Sequence, residues 1–94
     1  VSVAWKQSAL DARTASLASA LARAIEICEP QMYFAAWEQD DRIETEGDAL
    51  DGAATYHSGP LPGTRLYTCQ DGTYLLIYTR DGDEVLILAL VPAL

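Results

Sequence analysis

The spacing of apolar residues changes twice along the chain. The opening run VSVAW alternates and is rich in Val and Trp, which predicts a first strand over residues 1–5. From Ser8 the period lengthens. Leu10, Leu17, Leu21, Ile25 and Cys28 return at helical spacing and predict one stripe of a helix over 8–27. Ser8, with Asp11 three residues on, resembles a capping box in which Asp replaces the usual Glu. Pro30 ends this helix and is tolerated in the first turn of another, predicted over 30–50. Met32, Ala36, Ile43 and Leu50 mark its apolar side. Its other side carries Glu38, Asp40, Asp41, Glu44, Glu46, Asp48 and Asp51, with Arg42 as the nearby base. Such a run is read as a solvated helix face, the alternatives being a metal site or imitation of DNA charge.

Residues 51–63, DGAATYHSGPLPG, read as a loop. Period-two alternation then returns, predicting strands over 64–69, 73–79 and 84–91, with Asp-Gly in both turns. The expected fold is α+β, in the order β-α-α-β-β-β: an N-terminal strand and a helical hairpin packed on a small antiparallel sheet. Strict alternation puts Leu75 and Ile77 on one face of the middle strand and Tyr74, Leu76 and Tyr78 on the other. It likewise separates Val85, Ile87 and Ala89 from Leu86, Leu88 and Leu90. Two helices cover one face of such a sheet. The second face then needs a partner polypeptide, or a curled sheet with the long loop folded over its back. Burying each large side chain is worth roughly 1.5–3 kcal/mol, so an open apolar face is a docking surface.

Composition narrows the partners. The 94 residues predict one domain over 1–94, and the formal net charge of −8 opposes binding to nucleic-acid phosphates or anionic membranes. No secretory leader pattern and no run long enough to span a bilayer are visible, so a cytoplasmic protein with Cys28 and Cys69 as thiols is expected. No cofactor or metal motif is found. His57 has no Ser/Asp arrangement around it.

PGTRLYTCQDGTYLLIYTRDGDEVLILAL, residues 62–90, resembles the C-terminal half of RelE/ParE-superfamily toxins of bacterial type II toxin–antitoxin systems, and is closer to the ParE branch. Gly63-Thr64-Arg65 matches the Gly-x-Arg that enters the sheet in that family. Tyr74 to Tyr78 matches its apolar strand ending near Tyr, DGDE its acidic turn, and Val85 to Leu90 its last strand. Residues 1–12 and 29–50 resemble its first strand and helices. The resemblance implies a toxin-family domain that acts by binding protein, a cognate antitoxin in a hetero-oligomer, and DNA gyrase as the target. The alternatives are a ribosome-dependent mRNA endoribonuclease of RelE type and a divergent, non-toxic antitoxin-binding module. Against the ribonuclease stand Leu75, where RelE relatives often have Arg, and the ending LVPAL in place of a His or basic tail.

The residues expected to bind antitoxin or target are Arg65, Tyr67, Tyr74, Leu76, Tyr78, Leu86, Leu88 and Leu90. No residue is assigned to catalysis. For Arg65 the competing reading is an ion pair with an acid of the second helix. Arg80 is read as a solvated turn residue, and Trp5 and Trp37 as core filling rather than interface anchors.

Overall fold

The computed structural model describes residues 2–93, so Val1 of the predicted first strand and the final Leu94 lie outside the described residues. The chain runs β1 (Val3–Trp5), α1 (Gln7–Glu26), α2 (Pro30–Asp48), a 3-10 turn (Leu50–Gly52), β2 (His57–Ser58), β3 (Arg65–Thr68), β4 (Tyr74–Asp81) and β5 (Glu84–Pro92). The five strands form one sheet in the order β1-β5-β4-β3-β2. The architecture is the expected α+β one, with two differences. The sheet is mixed, because β1 pairs in parallel with β5, and the loop contributes the short edge strand β2, antiparallel to β3. A two-residue strand has no periodicity to read; it exists through its pairing with Arg65 and Leu66.

Gly72 and Gly82 take φ of 75° and 62° in the two Asp-Gly turns, the left-handed region that glycine enters at little cost. Within the β4–β5 ladder, Tyr78 pairs with Ile87 but Ile77 pairs with Ala89, so Leu88 is an extra residue in β5. This bulge overturns the strict alternation expected for that strand. Val85, Ile87 and Leu90 share the inner face, whereas Leu86 and Ala89 pair with outward residues of β4. The core lies on that inner face, where Leu76, Tyr78 and Ile87 are the largest fully buried side chains. Ile43, Leu50, Cys69, Val85 and Leu90 surround them.

The first helix turns a different face inward from the one its large residues suggest. Its buried positions are Ala9 and Ala24. Leu10, Leu17 and Leu21 are half-buried, and Ile25 is 65 % exposed. Small side chains let α1 approach its neighbours closely, so the leucine stripe lies to one side. The predicted capping box is absent as well. Lys6 precedes the helix with no side-chain cap, and the Ser8 hydroxyl instead donates to the Leu88 carbonyl at the bulge, 3.1 Å away.

The connection between α1 and α2 is a Schellman turn. The Cys28 amide donates to the Ile25 carbonyl and the Glu29 amide to the Ala24 carbonyl, at 3.2 and 3.0 Å. Cys28, at φ 56°, occupies the left-handed position that glycine usually fills. Pro30 follows at the start of α2. Among the described residues no helix is long and apolar enough to cross a membrane.

Candidate functional site: a groove between the helical hairpin and the sheet

Three faces of α2 serve three purposes. Ala36, Ile43 and Gly47 are buried. Met32, Ala35, Gln39 and Arg42, at i, i+3, i+7 and i+10, line a groove. Phe34, Trp37 and Asp41 face solvent. The opposite wall of the groove comes from α1 through Ala12, Ser16, Ser19 and Arg23, and its floor from Tyr74, Leu90 and Pro92 of the sheet. The groove holds about 860 Å³. Small residues on α1 leave it open, and the Ser16 hydroxyl is hydrogen-bonded to the Tyr74 hydroxyl at its floor. A mostly apolar channel of this size between two helices and a sheet accepts an extended or helical segment of another chain.

Polar contacts seat α2 over the β3–β4 turn and fix the rim. Gln39 Nε2 donates to Thr73 Oγ1 at 2.9 Å. The Arg42 guanidinium reaches Asp71 Oδ2 at 3.1 Å. Glu46 Oε1 accepts from the Tyr67 hydroxyl at 2.6 Å and from the Gln70 amide at 2.9 Å. Burial pushes the Tyr67 phenol well above the usual tyrosine range, and the bond to Glu46 adds to the shift. The Cys69 thiol is pushed up to about 11, first by burial and then by the charges of Glu46 and Asp71. Cys69 is therefore an inert core thiol, and Cys28 is an exposed free one.

The PGTR segment works as a positioning device. Gly63 adopts φ 79°. The Thr64 hydroxyl then closes the turn by donating to the Leu61 carbonyl at 2.6 Å. Arg65 consequently starts β3 on its inner face, paired with Tyr78. Its guanidinium lies over the Tyr56 ring, 3.7 Å from the centroid. This removes the competing reading of an ion pair with α2, since Arg65 has no carboxylate partner among the described residues. Stacking leaves the guanidinium edge free to meet an anion. Arg80 is also more than a solvated turn residue: it donates to the Gly82 and Ala53 carbonyls at 2.9 and 3.0 Å, tying the long loop to the sheet.

A solved chain described as "Chromosomal ParDE TA system from P. aeruginosa" superposes on this one with a TM-score of 0.72, covering 100 % of this chain and 97 % of that one at 18 % identity. The fold is ParE-like. No protein-family profile matches the sequence, and no curated protein matches it either.

Within this ParE-like frame the expected binding residues do not form one surface. Tyr74 and Leu90 line the groove. Leu76 and Tyr78 are fully buried beneath the helices, and Leu90 is largely buried, so they serve the core rather than an open face. Tyr67 is half-buried against Glu46. Leu86 is exposed on the outer side of the sheet and Leu88 is half-buried at the bulge. Arg65 stands toward the other end of the inner face, four residues along β4 from Tyr74 by register, or roughly 13 Å. Trp37, expected in the core, is 44 % exposed on α2. The α1 wall of the groove was not foreseen. Its signal was the run of Ala and Ser at i, i+4 and i+7, which carries no large residue to mark it.

Proposed function

We propose that this chain is the toxin-side member of a toxin–antitoxin pair, that it acts by binding protein, and that an antitoxin segment fills the groove between the helical hairpin and the sheet. The observation that carries the reading is the groove itself, about 860 Å³ and walled by two helices of a ParE-like fold. A segment that orders on binding suits such a channel, because side chains such as Met32 and Tyr74 offer apolar area that one small domain leaves uncovered. By the resemblance to ParE, the target is DNA gyrase. The bases near the sheet favour protein contact over RNA cleavage: Arg80 is bound to two backbone carbonyls, and Arg65 stands alone on Tyr56. Arg65 is the residue assigned to a carboxylate of the antitoxin or the target.

The test is a plasmid supercoiling assay with purified gyrase. The chain inhibits supercoiling, and equimolar antitoxin, the product of the adjacent open reading frame, restores it. Unchanged supercoiling together with cleavage of ribosome-bound mRNA establishes the ribonuclease instead.

A further inference from the structure

The helical hairpin has a second side, turned away from the groove. Ile25 of α1 shares a cavity there with Tyr33 and Phe34 of α2, and Trp37, one turn further along α2, is exposed. Ile25 is 65 % and Phe34 64 % exposed. The Tyr33 and Phe34 rings meet edge to face with centroids 5.9 Å apart. A shallow cavity of about 310 Å³ lies between Ile25 and these rings. Exposed aromatic side chains clustered in this way are anchors for another protein rather than ordinary surface.

We propose that this outer side of the hairpin docks a basic amphipathic helix of a partner protein, at a surface separate from the groove. Charge identifies the occupant. The Phe34–Trp37 stripe continues into Asp41, at i, i+3 and i+7, and Glu29 lines the cavity beside Tyr33 and Phe34. Neither Glu29 nor Asp41 has an ion pair among the described residues, whereas Asp40 and Glu44 share Arg13. An apolar anchor thus runs into unneutralised carboxylates. A matching helix places aliphatic or aromatic residues at i and i+4 against Ile25, Phe34 and Trp37, and Lys or Arg one turn further along.

Other occupants fit poorly. A second copy brings another net −8 and the same acids into contact, and phosphate surfaces are repelled in the same way. The groove's lining balances Arg23 and Arg42 against Glu38 and Asp71, whereas the outer cavity is lined by Glu29 and by no base, so a basic helix favours the outer side over the groove. The inference does not depend on what fills the groove.

The probe is a fluorescent Leu/Lys amphipathic peptide of about 18 residues, compared with its Leu/Glu counterpart. Both are titrated against the full chain by anisotropy. The Leu/Lys peptide binds and the Leu/Glu peptide does not. Phe34→Ala with Trp37→Ala weakens binding by roughly tenfold or more. Glu29→Gln with Asp41→Asn weakens it severalfold and flattens its salt dependence. Ser19→Trp, which fills the groove, leaves it unchanged. Circular dichroism confirms that each variant is folded, and Ile25→Gln replaces the double alanine variant should that one unfold. Equal binding by the aromatic variants, equal binding of the two peptides, loss of binding in Ser19→Trp, or self-association of the chain that depends on Phe34 overturns the proposal.

Discussion

Gly47, buried in the last turns of α2, lies directly under the Trp5 indole of β1. A Cβ at this position would fall inside the contact distance of Trp5 Cζ2, 2.9 Å from Cη2 and 3.1 Å from Ile87 Cδ1. The Trp5 Nε1 donates to Asp48 Oδ1 at 2.9 Å, and the Arg13 guanidinium lies 4.6 Å from the ring centroid on α1. Trp5 therefore joins strand and helices at one point. Alanine is the better helix former by about 1 kcal/mol, but overpacking here costs about 1–3 kcal/mol. Gly47→Ala is expected to lower the urea midpoint, and a raised midpoint would show that the ring yields freely.

Glu46, Tyr67 and Cys69 set an alkaline limit on stability. An unfolded thiol releases its proton near 9.0, and folded Cys69 holds its proton to about 11. The Tyr67 phenol is raised in the same sense. Between those values the unfolded chain binds fewer protons than the folded one, so stability falls as pH rises. Urea midpoints from roughly pH 8 to 11 should decline in the wild type. In Cys69→Ala with Tyr67→Phe the decline should be shallower. An identical slope contradicts the assignment.

Two arginines near the loop are expected to separate cleanly. Arg65→Ala loses a cation–π contact worth about 0.5–1 kcal/mol and should melt nearly as the wild type does, while binding the antitoxin more weakly. Arg80→Ala loses bonds to the Ala53 and Gly82 carbonyls, costs about 1–3 kcal/mol, and should bind normally once folded. Melting curves and calorimetry on both variants decide this. Unaltered affinity in Arg65→Ala removes Arg65 from the binding surface.

Cys28 holds the left-handed position of the Schellman turn at φ 56°, where a side chain is strained. Relief of that strain, about 1–2 kcal/mol, exceeds the entropic cost of glycine, about 0.5–1 kcal/mol, so Cys28→Gly should raise stability. Lower stability in that variant would mean that the thiol's packing outweighs the backbone strain.

The elements were legible where local chemistry sets them. Pro30 begins α2, and Gly72 and Gly82 sit in the turns that their Asp-Gly pairs predict. What was hidden depends on tertiary contact. Leu88 reads as an ordinary member of an alternating strand until its partner skips it. Ser8 reads as a cap, yet the Leu88 carbonyl takes its hydroxyl. The leucines of α1 outweigh its alanines in any periodicity, although Ala9 and Ala24 are the residues it buries. The groove follows from that substitution of small for large. Of the expected binding residues only Tyr74 and Leu90 reach it, because alternation reports which strand residues share a face and not which face the helices leave open.

The most direct test is hydrogen exchange on the chain alone and in complex with the antitoxin. The account predicts new protection along both walls of the groove, in residues 12–23 and 32–42, and at the floor around Tyr74 and Leu90. A stable complex that protects only the outer sheet face around Leu86, and leaves the groove exchanging as it does in the free chain, contradicts it.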